Sequence, residues 1–260
     1  MRVGFGEYSD LSPHRCLAEF DAGEAGLHLA HVDRYKGTCL HCGAMLVTKP
    51  TSKDYVPSKA LLDRPLPANV HVVETCVQCN NGFSSDEEYF AAVLGAAMSG
   101  TTDPGGQVFE TARNVLARNA KLRRDIETTR IDATTSDGNR SLTRFPDLDR
   151  FRRVVVKNAR GHAFHELGQP ILGEPDHALI VPLEVIDEER LADFLKVDPG
   201  HGWPEVGSRL FQRVVEGIDM VDGWIVVQPG VYIFAVIEGD GAIVRSIIRE
   251  YLLTEMIWQW

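Results

Sequence analysis

Four of the five cysteines in this 260-residue chain are arranged as two Cys-x-x-Cys pairs. The first pair is Cys39 and Cys42, the second is Cys76 and Cys79, and 33 residues separate the pairs. Two thiolates at this spacing can point at one position in space, and four of them form the closed tetrahedral site that structural zinc prefers. Paired motifs of this kind are a strong indication of a metal site. We therefore predict one structural zinc ion bound by these four cysteines.

The separation of the pairs is longer than a plain zinc ribbon needs, and the inserted segment carries residues suited to chemistry. It contains the run Lys53-Asp54-Tyr55-Val56-Pro57-Ser58-Lys59 and, further on, Asn69; Asn80 directly follows the last cysteine. Carboxylate and amide oxygens suit Mg²⁺ or Mn²⁺ better than zinc. A metal site built from such residues would be chemically distinct from the cysteine site.

Residues 36–95 resemble the HNH endonucleases of the ββα-metal class, in a bacterial subgroup with the pattern DHVPPK, then CxxCN, then DEEYF. Here the three parts read Asp54-Tyr55-Val56-Pro57-Ser58-Lys59, Cys76-Val77-Gln78-Cys79-Asn80 and Asp86-Glu87-Glu88-Tyr89-Phe90. The resemblance implies metal-dependent cleavage of nucleic-acid phosphodiester bonds. It further implies that Asp54 and Asn80 hold a catalytic Mg²⁺ or Mn²⁺ and that Asn69 orients the general base.

The sequence departs from this pattern at Tyr55, which stands where the family has its general-base histidine. A phenol with an ordinary pKa near about 10 is protonated at neutral pH and is a poor base. Three interpretations stay open: the chain is a pseudo-nuclease that binds without cleaving, the neighbouring metal ion activates Tyr55, or His71 on the facing strand replaces the base. The competing functional class is thus a non-catalytic zinc module that binds nucleic acid or a protein partner.

Charge is unevenly distributed along the chain, whose 27 Lys and Arg face 37 Asp and Glu for a net charge of −10. Such a charge argues against a generic nucleic-acid binder. Residues 111–160, however, hold 13 basic and 6 acidic side chains, a net charge of +7. This basic segment is either a solvated helix face or a phosphate-contacting surface formed by Arg113, Lys121, Arg124 and Lys157. DNA is favoured over RNA as the nucleic acid.

The last hundred residues, 161–260, are acidic, with 17 Asp and Glu against 6 Lys and Arg. They are the part of the chain that we expect to meet a protein partner. No apolar run approaches the roughly 20 residues that cross a bilayer, and the N-terminus lacks the apolar core of a signal peptide. We expect a cytoplasmic protein without a membrane partner, where reduced cysteines favour metal binding over disulfides.

The periodicity of the chain predicts an α+β fold, with a zinc-stabilised ββα-metal core followed by helices and a C-terminal α+β part. β-Branched runs predict a strand ending at 54–56 and a second strand at 70–73, and Cys76 opens a helix. Ser84 and Ser85 predict the start of a further helix. Its carboxylates Asp86, Glu87 and Glu88 are either first-turn charges, which the helix dipole favours, or metal ligands, and the first interpretation is preferred.

The remaining elements follow from hydrophobic spacing and turn residues. We divide the chain into an N-terminal extension (1–35), the zinc-bound core (36–98), a basic helical segment (99–165) and an acidic α+β part (166–260). The predicted elements after the core are, in order, a helix at 107–130, a loop at 134–141, a helix at 146–159 stopped by Gly161, a strand at 179–182, a helix at 187–195, a hairpin at 224–237, and at 243–252 a helix, with a strand left open.

Overall fold

The structure is a computed structural model that describes residues 37–134, 140–144, 146–197, 204–217 and 220–260, without the side chains of 130–134 and 140–144. The N-terminal extension predicted at 1–35 lies outside the described residues. Ten strands and six helices occupy the described part. They are β1 (Thr51–Val56), β2 (His71–Cys76), α1 (Val77–Ser99), α2 (Glu110–Arg118), α3 (Ala120–Thr128), β3 (Arg130–Thr134), β4 (Arg140–Arg144), α4 (Leu148–Leu167), β5 (His177–Pro182), α5 (Glu188–Leu195), α6 (Arg209–Glu216), β6 (Met220–Val221), β7 (Trp224–Gln228), β8 (Tyr232–Glu238), β9 (Gly241–Ile248) and β10 (Leu252–Gln259).

The first three of these elements form the ββα unit that the sequence predicts. β1 pairs antiparallel with β2, so that Asp54 lies opposite Val73 and Val56 lies opposite His71. α1 begins directly after β2, as expected. The predicted helix start at Ser84 and Ser85 is wrong, because α1 runs without a break to Ser99.

The basic segment is more broken than its periodicity suggests. Asn119 interrupts the predicted helix at 107–130, since its side chain accepts a hydrogen bond from the Leu122 amide and caps a new helix there. Of the predicted loop at 134–141, residues 135–139 lie outside the described residues, whereas 134 and 140–141 belong to two paired strands, β3 and β4. Gly161 does not stop α4, which runs on to Gly168 in the left-handed conformation. A Cβ at Gly161 would lie 2.6 Å from Cγ2 of Val56, so this glycine allows α4 to pack closely on β1.

The C-terminal part is an antiparallel sheet in the order β5-β10-β9-β8-β7-β6. The predicted strand, short helix and hairpin are all present, as β5, α5, and β7 with β8. At 243–252 the expected helix is wrong, and the strand that we left open is correct. β9 alternates buried and half-buried residues along its length, the period of two that a sheet with one buried face requires.

One apolar core draws side chains from the ββα unit, the basic segment and the acidic part. Among its buried members are Phe90, Leu116, Val154, Phe234 and Trp258. The α+β class is therefore as predicted, whereas the division into segments stays a prediction.

The loop between β1 and β2 is joined to the C-terminal sheet by polar contacts. Arg249 donates to Oδ1 of Asp63 over 2.7 Å, and the Asp63 amide donates to Oε1 of Gln228 over 2.9 Å. The ββα unit and the sheet are thus held together by hydrogen bonds as well as by apolar contacts.

Candidate functional site

The sulfurs of Cys39, Cys42, Cys76 and Cys79 converge as the spacing predicts. All four lie within 4.8 Å of one another, and the sulfurs of Cys42 and Cys76 are 3.9 Å apart. A tetrahedral zinc ion with Zn–S bonds of about 2.3 Å separates its sulfurs by about 3.8 Å. The cluster therefore has the composition and the size of a site for a metal ion such as zinc.

Each pair of cysteines is positioned by a tight local structure. In the first pair, the Gly43 amide donates to the Cys39 carbonyl and the Cys39 amide donates to the Ala44 carbonyl, both over 2.8 Å. This turn needs the positive φ of +70° that Gly43 adopts and that residues with a Cβ disfavour. In the second pair, Cys76 ends β2 and Cys79 lies in the first turn of α1. A metal ion here would join the turn to the strand and the helix.

The thiols of the cluster differ in acidity. Burial acts to raise the pKa of Cys76, but hydrogen bonds from the Cys79 backbone and from the neighbouring thiols outweigh it and lower the pKa to about 7. Burial raises the pKa of both Cys39 and Cys79. Zinc binds thiolates and releases their protons, so metal binding here becomes tighter as the pH rises.

Asp54, predicted to hold a catalytic metal ion, is buried between two nitrogen donors. His41 Nε2 donates to Oδ2 over 3.1 Å, and Lys157 Nζ lies 2.6 Å from Oδ1. Burial acts to raise the pKa of Asp54, but the hydrogen bond from His41 and the charge of Lys157 outweigh it, and the pKa lies below its usual value. Both carboxylate oxygens are thus engaged by the protein itself.

The Lys157 ammonium is surrounded by three oxygens of the chain. Besides Asp54, it contacts Glu87 Oε1 at 2.7 Å and Ser58 Oγ at 3.0 Å. The Asn158 side chain fixes Ser58 by accepting a hydrogen bond from its amide over 3.0 Å. The Lys157 side chain is only 2% exposed. This arrangement is a buried cation site in which an ammonium group is the cation.

His41, between the first two cysteines, links the four-cysteine cluster to this cation site. Its ring packs edge-to-face on Phe83 with 4.8 Å between the ring centroids. Burial lowers its pKa against the opposing effect of Asp54, so the ring is neutral at pH 7, and its Nε2–H donates a hydrogen bond to Asp54. His41 Nδ1 is buried and has no hydrogen-bond partner among the described residues.

The other predicted catalytic residues contact different parts of the molecule. Asn80 Nδ2 donates to Ser52 Oγ over 3.0 Å and to the Lys53 carbonyl over 3.2 Å, which holds it against β1. Asn69 Nδ2 donates to the Val226 carbonyl of the C-terminal sheet over 3.1 Å. The Tyr55 ring is half-buried, with Lys59 Nζ 4.2 Å above its centroid. The catalytic roles given to these residues stay predictions.

Of the four predicted phosphate-binding residues, three lie at the surface and one does not. Arg113, Lys121 and Arg124 are exposed on α2 and α3. Lys157 is committed to the buried cation site, where it is screened from any nucleic acid. The nucleic-acid prediction therefore depends on the three exposed side chains.

Sequence reasoning missed His41, Ser58 and Asn158, and it assigned Glu87 to the first turn of a helix that begins elsewhere. One signal was available. Asp54 and the apolar Val56 are two residues apart on β1, so their side chains lie on the same, buried face of the strand. A buried carboxylate requires a partner with a positive charge or strong donors. The identity of that partner, about 100 residues further along, was not readable.

No membrane-spanning helix is found among the described helices, since none is both long and apolar enough. Comparison of the chain with protein-family models, with curated proteins and with solved structures finds no match. The HNH resemblance therefore depends on the motif residues alone.

Proposed function

We propose that this chain is a zinc-stabilised, HNH-like module that binds nucleic acid and in which the Lys157 ammonium takes the place of a catalytic metal ion. The observation that carries the proposal is the position of Lys157 Nζ, within 3.0 Å of oxygens of Asp54, Glu87 and Ser58. A divalent ion could bind Asp54 only by displacing this buried ammonium from Oδ1 or His41 from Oδ2. Without that ion the leaving oxygen of a phosphodiester is not shielded, so cleavage is slow.

The binding surface in this proposal is the exposed face of α2 and α3, with Arg113, Lys121 and Arg124. DNA is the proposed nucleic acid. The acidic C-terminal part repels phosphates and is proposed as the surface for a protein partner.

Replacing Arg113, Lys121 and Arg124 together by glutamine is expected to weaken DNA binding and its dependence on salt. Each lost phosphate contact reduces the slope of log K against log salt by about 0.9 for duplex DNA, so three contacts reduce it by about 2.7. Fluorescence anisotropy with a labelled duplex over a range of salt concentrations measures both quantities.

The matched control replaces three exposed lysines and arginines outside the basic segment, Lys49, Arg190 and Lys196, by glutamine. This variant has the same net charge, and we expect its binding to stay close to that of the wild type. Equal weakening in the two triple variants would mean that net charge, and not this surface, governs the interaction.

A second candidate function is the metal-dependent endonuclease itself. It is favoured by Asn80, whose contacts with Ser52 and the Lys53 carbonyl hold it beside the strand that carries Asp54. In this candidate, Asp54 and Asn80 bind Mg²⁺ or Mn²⁺ after Lys157 moves away, Asn69 orients the base, and Tyr55 limits the rate.

Substituting Tyr55→His separates the two candidates. If the chain is an endonuclease that lacks its base, the substitution raises Mg²⁺- or Mn²⁺-dependent plasmid nicking by about 10²-fold or more, and Asn80→Ala in the same background removes the gain. If Lys157 has replaced the metal ion, the Tyr55→His variant is folded, zinc-loaded and inert. Tyr55→Phe is the matched control, since it keeps the ring and supplies no base.

A further inference from the structure

A second group of metal-ligating side chains, separate from the four cysteines, is formed by one residue of β2 and two residues of α4. His71 is the first residue of β2, and His165 and Glu166 lie near the end of α4. One ligand atom from each of the three residues lies within 4.8 Å of the others. Glu166 Oε1 is 3.9 Å from His71 Nε2 and 4.0 Å from His165 Nε2.

The two histidine rings lie against each other at this point. They stack with 3.5 Å between their centroids and an angle of 21° between their planes. His165 Nε2 is buried and has no hydrogen-bond partner in the described part of the chain. An imidazole nitrogen of this kind is available to a metal ion.

Glu166 is held in place by a residue outside this group. Arg213 Nε donates to Glu166 Oε2 over 2.9 Å, so that Oε1 is the oxygen directed toward the histidines. Fixing of a ligand by a neighbouring hydrogen bond is a regular feature of metal sites.

Arg213 also opposes metal binding. Its Nη2 lies 3.2 Å from His71 Nε2, and a metal ion at His71 would replace this contact. The arginine charge repels a cation as well, so we expect weaker binding here than at the cysteine cluster.

We propose that His71, His165 and Glu166 form a second divalent-metal site, which takes zinc. Two imidazoles and one carboxylate are a known donor set for zinc, and three protein ligands leave a fourth position open for water or an anion. Zinc bonds of about 2.0–2.2 Å require the ligand atoms to move closer by roughly 0.5 Å each. The side chains of His71 and His165 are 14% and 16% exposed, which gives the ion a path from solvent. This inference is independent of the proposed nucleic-acid function.

Metal stoichiometry tests the inference directly. After dialysis of the full chain against excess zinc and removal of unbound metal, elemental analysis is expected to give two zinc ions per chain for the wild type and one for His165→Ala and for His71→Ala. The exposed His177 on β5 provides the matched control, and His177→Ala is expected to keep two. Circular dichroism and thermal melting establish that each variant is folded.

Cobalt distinguishes the two sites spectroscopically. Co²⁺ at the cysteine cluster gives thiolate charge-transfer absorption, and a second equivalent at the histidine site adds visible bands without it. The proposal is overturned if the wild type binds no second equivalent in excess metal, or if folded His71→Ala and His165→Ala variants retain it. Glu166→Gln, which keeps an acceptor for Arg213, must also reduce the binding of the second equivalent.

Discussion

Removing zinc from the four-cysteine cluster is expected to unfold the ββα core. Zinc contributes about 10–16 kcal/mol in small zinc domains, which is as large as the whole stability of a typical domain, about 5–15 kcal/mol. Around the cysteines, Leu46 packs on Cys39 and Cys76, Leu40 packs on Val56 and Val73, and His41 contacts Phe83 of α1. A bound zinc ion would add direct bonds between the first turn and α1, which these few contacts do not replace. A strong chelator should abolish the cooperative thermal transition seen by circular dichroism, and added zinc should restore it.

Single substitutions test which sulfurs are responsible. Cys39→Ser and Cys76→Ser are each expected to lose zinc and to melt as the chelated protein does. Cys16→Ser removes the one thiol outside the four-cysteine motif and is expected to keep the metal. A chain that stays folded and contains no zinc after purification without chelator, or that forms a disulfide among the four cysteines, would contradict the prediction.

Replacing Lys157 by methionine is expected to lower the free energy of unfolding by about 3–5 kcal/mol, the usual effect of removing one partner from a buried ion pair. Methionine is a side chain of similar length, so the loss of stability comes from leaving Asp54 and Glu87 without their cation. Because Lys157 contacts both carboxylates, the double variant with Asp54→Asn should recover part of the loss through non-additivity. Urea unfolding at pH 7 measures each value.

The pH dependence of this penalty gives an independent check. In the wild type the pKa of Asp54 is depressed, so its contribution to stability is present above the unfolded pKa and is lost as the pH falls through the folded pKa. In Lys157→Met the burial of Asp54 remains without the lysine charge, so its pKa rises and protonation relieves the penalty on mild acidification. The exposed Lys53→Met is the control, with an expected effect within about 0.5 kcal/mol. An equal effect of both substitutions at pH 7 would show that Lys157 does not balance buried charge.

The parts of the structure that sequence predicts are those governed by local spacing. The two cysteine pairs predict their own cluster. The spacing of two residues between the thiols is set by the geometry of a local turn, and it does not depend on the wider fold. The β-branched residues before Cys76 likewise indicate β2. Asn119 also carries a local signal, since asparagine is a good helix cap, but apolar residues on both sides at helical spacing concealed the break.

The parts that sequence does not predict depend on contacts between distant residues. Glycine is a residue that commonly ends a helix. Gly161 instead lies within α4, where its lack of a side chain allows close packing on Val56, more than 100 residues away in sequence. The pairing of Lys157 with Asp54 also depends on residues that are distant in sequence. The burial of the basic Lys157 follows from that pairing. The segment 243–252, which contains most of β9, was ambiguous because a short apolar run with β-branched residues fits either a helix or a strand.

The polar contacts of the β1–β2 loop with the C-terminal sheet have a consequence for how the chain folds. Asp63 and Arg249 are 186 residues apart in sequence, and Asn69 and Val226 are 157 apart. Domains rich in such distant pairings fold slowly, because chain entropy is lost before the contacts form. We expect zinc to capture the cysteines early, whereas the apolar surface of α1 and α4 waits for the last strands. During that interval the half-folded chain is open to aggregation, and a chaperone that covers apolar surface would raise the yield of native protein more than additional zinc.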